Sequence, residues 1–205
     1  MTRVEMRYSS GAVDYKGITI EGTAPITRIN VPDSIFELRV LIGAEVRAWE
    51  THPQSVYFYS GLGYRYLDDD ASTFSSGYES ESNYFYCPLG ININMAPEAE
   101  NGWSIGGAIE YDYLLRGMQA SYLSDADIGY NNQTNIQKGG IGYRGSIRFQ
   151  KKLEDASIHI QPFFKRWNIR KSDETPLTYN GSYIKETSAP ANHSTEIGVT
   201  IGVTF

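Results

Sequence analysis

The residues best suited to chemistry in this chain are acids and arginines set at even separations. Glu37, Arg39, Glu45 and Arg47 fall in one stretch, Glu110, Asp112 and Arg116 in a second, Arg144 and Arg148 in a third, and Arg65 stands alone. Even spacing puts side chains on one face of an extended strand, because successive Cβ atoms alternate. Opposite charges sharing a face can neutralise one another, and the guanidinium fork satisfies several acceptors at once. An enclosed ion-pair network is therefore expected from these ten residues, with Arg144 paired to Glu45, Glu110 or Asp112. Catalytic groupings are thinner. His193 and Ser194 with Glu196 sketch a base and a nucleophile, but adjacent strand residues point to opposite faces. His52 falls in a short turn, and His159 lies on a polar strand face. Asp68 to Glu79 places oxygen side chains where a calcium loop needs them, yet Thr73 occupies the position that requires glycine. No catalytic residue, metal site or cofactor is expected, and the chain is not read as an enzyme.

The elements that would carry these residues are strands. Phe36, Leu38, Val40, Ile42, Ala44, Val46 and Ala48 alternate with Glu37, Arg39, Leu41, Gly43, Glu45 and Arg47. A helical step of 100° would scatter both sets round a cylinder. The same period recurs over 55–67, 83–95, 103–115, 141–149 and the final residues, with less regular copies over 3–15 and 156–169. In the last of these the apolar set shifts phase beyond Pro162, to Phe163, Trp167 and Ile169, which predicts a β-bulge there. Pro88, inside another strand, has no such repair. Glycines 43, 61, 63, 106 and 142 on the polar faces would make room for long side chains.

Composition narrows the class. The 205 residues carry 18 Lys plus Arg against 24 Asp plus Glu, a formal charge of −6, whereas a nucleic-acid surface needs clustered positive excess. No apolar run approaches the ~20 residues of a spanning helix. Sixteen Tyr and twenty Gly fit strands and turns rather than disorder. The single Cys87 excludes an internal disulfide and a cysteine-based metal site. Met1 to Met6 lack an apolar leader core, so the expectation is either a protein that stays in the cytoplasm or a mature form with an added start Met, and the alternating C-terminal row favours the second.

Connections set the architecture. Long segments (16–34, 68–82, 117–139, 170–194) alternate with short ones (50–54, 96–102, 151–155), so every long loop falls on one rim. Long outer loops with short turns at the other end are the pattern of membrane barrels. Alternation alone does not orient the faces, but the mixed charges with many arginines suit an enclosed network, so the polar faces are expected to point inward and the aliphatic rows outward to lipid. Trp103, Phe149 and Phe205 fall near the short-turn ends; Phe36, Tyr64, Tyr66, Phe85, Tyr111, Tyr113, Tyr143 and Trp167 fall towards the long-loop ends. Two aromatic belts bracketing an aliphatic middle suit a spanning barrel.

On these features the chain resembles the small eight-stranded outer-membrane barrels of Gram-negative bacteria, the OmpA/OmpX-like and opacity-protein group. The sharpest shared motif is the last strand, Ile197, Val199, Ile201, Val203 and Phe205, similar to the assembly signal of that group. The expected fold is all-β, one domain over 1–205, an eight-stranded antiparallel up-and-down transmembrane β-barrel. The resemblance implies outer-membrane location, contact with lipid and lipopolysaccharide, insertion by the barrel-assembly machinery and a surface ligand on the loops. A plugged anchor displaying four loops is the expected function. A narrow pore, a lipid A-modifying barrel enzyme and a soluble lipocalin-like binder are the rivals.

Overall fold

A computed structural model describes residues 2–18, 20, 24–46, 54–95 and 102–204. Among the described residues it is all-β apart from a single 3-10 turn at Leu123–Asp125. In chain order the strands are β1 (Thr2–Ile18), β2 (Pro25–Val46), β3 (Gln54–Asp70), β4 (Glu79–Met95), β5 (Trp103–Ser121), β6 (Gln133–Gln137), β7 (Gly140–Lys152), β8 (Ser157–Ile169), β9 (Thr175–Tyr179), β10 (Ser182–Thr187) and β11 (Asn192–Thr204). Eight of them form an up-and-down antiparallel path, β1-β2-β3-β4-β5-β7-β8-β11, while β6 pairs back on β5 and β9 pairs with β10. Among the described residues no ladder joins β1 to β11, and the sheet is curled into a half-barrel.

Alternation sorts the two faces. On β2 the side chains of Glu37, Arg39 and Leu41 are buried on the concave face, and Leu38, Val40 and Ile42 are exposed on the convex face. The same division runs through β1, where Val4 and Met6 are exposed, and through β11, where Ile197, Val199 and Ile201 are exposed. The polar faces therefore turn inward, as the charge pattern requires.

Several expectations change. The long connections contain much strand: β1 to β5 run beyond the expected limits, segment 117–139 contains the end of β5 and β6, and 170–194 contains the β9–β10 hairpin. Turns 50–54 and 96–102 lie almost entirely outside the described residues; the 151–155 turn closes with Leu153 N–H donating to the Ala156 carbonyl at 2.7 Å. Pro162 carries no bulge. β8 keeps one register with β11 through Val199↔Pro162. Against β7 the pairing lapses between Phe163 and Ile160, then resumes in the same phase. The missing proline donor is accommodated by that lapse. Pro88 uses the same device, since β3–β4 pairing lapses between Tyr86 and Leu89.

With the phase unbroken, Phe163, Trp167 and Ile169 stay on the face of His159 and Gln161. Trp167 and Ile169 are buried there with Tyr84, Tyr86 and Leu114. Trp167 meets the Tyr86 ring edge-on at 5.0 Å. This apolar cluster fills the interior near the long-connection end, so Trp167 is not part of an outward aromatic belt. Trp103, Phe85, Tyr113, Tyr143 and Phe149 do face out. A real bulge lies elsewhere: Phe85 pairs with Arg116 but Tyr86 pairs with Leu114, leaving Leu115 as the extra residue. Two glycines permit the inward packing, because the Tyr86 ring lies on Gly63 and the Tyr59 ring on Gly90, where any Cβ would collide.

Candidate functional site

The concave face gathers acids and bases from strands distant in sequence. Arg144 on β7 is the centre. Its Nη2 and Nη1 reach Glu37 Oε1 and Oε2 at 2.5 and 2.9 Å, and its Nε lies 2.6 Å from Asp112 Oδ2 and 3.0 Å from Glu110 Oε1. Nη2 also donates to the Tyr86 hydroxyl at 2.8 Å, which donates to Glu37 at 2.7 Å. Arg39 joins Glu110 to Glu5, the latter at 2.9 Å, and Arg3 holds the far oxygen of Glu5 at 2.8 Å. Lys165 Nζ lies 3.5 Å from Glu37. Acids and bases balance one for one along this chain of contacts. A second group is smaller: Glu196 on β11 accepts from Arg7 at 2.5 Å and Arg65 at 3.2 Å.

Burial gives the arrangement its cost and its rigidity. The side chains of Asp112, Glu110 and Glu37 are all under 5 % exposed, so each carboxylate depends on its arginine for solvation. The guanidinium of Arg144 is flanked by the Tyr86 and Trp167 rings at 5.4 and 5.9 Å, which fixes its plane above the apolar cluster.

Of the ten residues predicted from spacing, Glu37, Arg39, Arg65, Glu110, Asp112 and Arg144 meet in these two groups. Glu45 does not pair with Arg144; it is exposed and accepts from the Ser55 hydroxyl at 2.7 Å. Arg116 is turned to the convex face by the Leu115 bulge, which reverses the phase of β5 beyond that point. Arg148 faces inward but bonds the amide of Gln161 at 2.9 Å instead of a carboxylate. Arg47 lies outside the described residues. Spacing missed Glu5, Arg7, Lys165 and Glu196. The parity of Arg3, Glu5 and Arg7 was a usable signal; the partners of Lys165 and Glu196 come from strands far away in sequence and leave no local trace.

Beneath the network, towards the short-turn end, the interior is open. A chamber of about 800 Å³ is lined by Arg3, Glu5, Tyr59, Asn92, Arg148 and His159 among others, and its mouth reaches Val4, Met6, Phe164 and Thr200 beside the β1 edge. The interior is thus packed at one end and hollow at the other.

The long-connection rim is acidic. Asp33 and Asp69 are cross-strand partners, and like charges directly opposed are unfavourable. Burial first, then Asp69, pushes the Asp33 carboxyl up to about 6, against the pull of Arg65. Asp70 is committed to its own turn, accepting from the Ser72 N–H at 2.9 Å. On the outer connections, Gln133 and Asn135 of β6 bond the β9 segment at Pro176 and Thr175, and the rings of Tyr130 and Tyr179 pack at 5.0 Å. His193 bonds Asn168 at 2.9 Å while Glu196 turns to its arginines, so the sketched base and nucleophile are not assembled. The outward row of β11 is Ile197, Val199, Ile201 and Val203; Phe205 lies outside the described residues. No family model matches this chain, and no curated protein matches it.

Proposed function

We propose that this chain is an integral outer-membrane protein, an eight-stranded transmembrane β-barrel that acts as a rigid, plugged anchor for surface loops serving adhesion, surface contact or envelope stability. The observation that carries the reading is the sorting of faces. Charge is enclosed, while Met6, Ile197 and Ile201 stand 75, 80 and 73 % exposed on the outside. Apolar rows of that extent invite association in water and match hydrocarbon. Lipid does not tolerate an unpaired sheet edge. In the membrane β1 therefore pairs with β11, an antiparallel neighbour already bridged to it by Arg7 and Glu196. The partners that follow are outer-membrane lipid and lipopolysaccharide along the wall, the barrel-assembly machinery at β11, and a surface ligand on the loops. Nucleic acid does not suit the net charge.

Two measurements test this. Heated and unheated samples compared on a gel should differ in mobility if the barrel is closed and lipid-facing; a protein that is monodisperse without detergent would be the soluble binder instead. Oxidation of Ser9→Cys/Ser194→Cys, in a Cys87→Ser background, should cross-link β1 to β11 in vesicles, because these positions share the Arg7–Glu196 register. The hollow lower interior favours one second reading, a narrow pore or small-molecule route. Steady single-channel current in planar bilayers would establish it over the plugged anchor.

A further inference from the structure

Among the described residues the lower chamber is lined by more arginine than carboxylate. Glu5 is divided between Arg3 and Arg39. Among the described residues Arg148 has no carboxylate of its own. Gln161 accepts from Arg148 Nε and donates to the Ser146 hydroxyl at 2.8 Å, so the guanidinium that lines the chamber is oriented by a fixed amide, and among the described residues its two terminal nitrogens have no hydrogen-bond partner. His159 rests over Gly202 and also lines the space, as does the unpartnered Asn92 Oδ1. A planar fork held in place beside a second guanidinium and an imidazole is the geometry that recognises a tetrahedral oxyanion.

We infer that this chamber is a binding site for a phosphate group, gripped by Arg148, with Arg3 and His159 completing the cradle. Two sources carry that chemistry. A free phosphate reaches the chamber from the short-turn end. The phosphate head of a lipid reaches it from that same end, because the β1–β11 pairing proposed above closes the mouth beside Val4 and Met6. The inference concerns the concave face and stands apart from the membrane reading, whose failure the gel-mobility test reports separately.

The test titrates the full chain in dodecyl maltoside with inorganic phosphate and, separately, with dodecyl phosphate, following heat of binding. Saturable binding of at least one probe is expected. Arg148→Gln should weaken it about tenfold or more, Arg148→Lys less, and His159→Gln by a few-fold. Circular dichroism checks each variant; should Arg148→Gln fail to fold, Arg3→Gln takes its place with a several-fold loss expected. Comparable affinity for the two probes identifies the free anion, and binding of dodecyl phosphate alone identifies the lipid head. Absence of saturable binding by either probe overturns the site, as does binding that the folded Arg148→Gln or Arg3→Gln variant leaves unchanged.

Discussion

Removal of the Arg144 guanidinium takes the central cation out of the interior network. Three carboxylates lie within 3.0 Å of its nitrogens, and their side chains are 0 to 4 % exposed. Among the described residues, Arg144→Ala leaves Asp112 with no remaining cation, Glu37 with Lys165 at 3.5 Å, and Glu110 with Arg39. Breaking a buried pair costs about 3–5 kcal/mol, mostly the desolvation of the charge left behind. The expectation is a loss in that range, measured by urea unfolding in lipid vesicles. Trp167 emission is the probe, since that ring touches Tyr86 and faces the guanidinium. The cost is electrostatic in origin, so neutralising the stranded acids should recover much of it. The triple variant Arg144→Met, Glu37→Gln, Asp112→Asn should therefore unfold at higher urea than Arg144→Ala alone. An Arg144→Ala midpoint equal to that of the parent would refute the enclosed network as the source of interior rigidity.

Further outcomes follow from the rim, the interior packing and the outer wall. At Asp33 the folded state holds its proton more tightly than the unfolded chain does. Its contribution to stability is complete below the ordinary value of 3.8 and is lost as pH rises to about 6. Asp33→Asn should then stabilise the protein by about 1 kcal/mol at pH 8, after discounting for its exposed half, and change little at pH 4. Gly63→Val, placed under the Tyr86 ring, should destabilise by about 1–3 kcal/mol through overpacking, with Tyr86 displaced from Glu37 and seen as altered near-ultraviolet dichroism. Ile201→Arg should lower stability in vesicles by about 2–4 kcal/mol if that row meets the bilayer midplane. The same substitution would be nearly neutral if the row faces water.

Strand identity and facing were legible wherever apolar and charged residues alternated without interruption. Over 36–46 the period alone divides Glu37, Arg39 and Leu41 from Leu38, Val40 and Ile42, and the burial follows. The candidate site was legible in kind, since six of the spaced charges meet inside. What sequence could not reveal was registry between strands. Arg116 shares the parity of Glu110 and Asp112, but Leu115 inserts one residue and sends it outward. The apolar inward residues of β8 mimic a phase change at Pro162, because Trp167 and Ile169 belong to an internal cluster that only the curled sheet creates. Glu196 finds Arg7 some 189 positions away, a pairing that no local pattern encodes.

The wall is not of even height. β2 has 22 residues and β8 has 13, a difference of about 30 Å in path at ~3.3 Å per residue. The crest formed by β1 to β5 stands on one side only, and β6 with the β9–β10 hairpin supplies much of the structure beyond the shorter strands. A large body settling on this crown would meet the raised parapet of continuous sheet first. The lower flank is assembled from separate pieces tied by amide side chains, and under the proposed anchor reading it is where shape would adjust to a surface ligand.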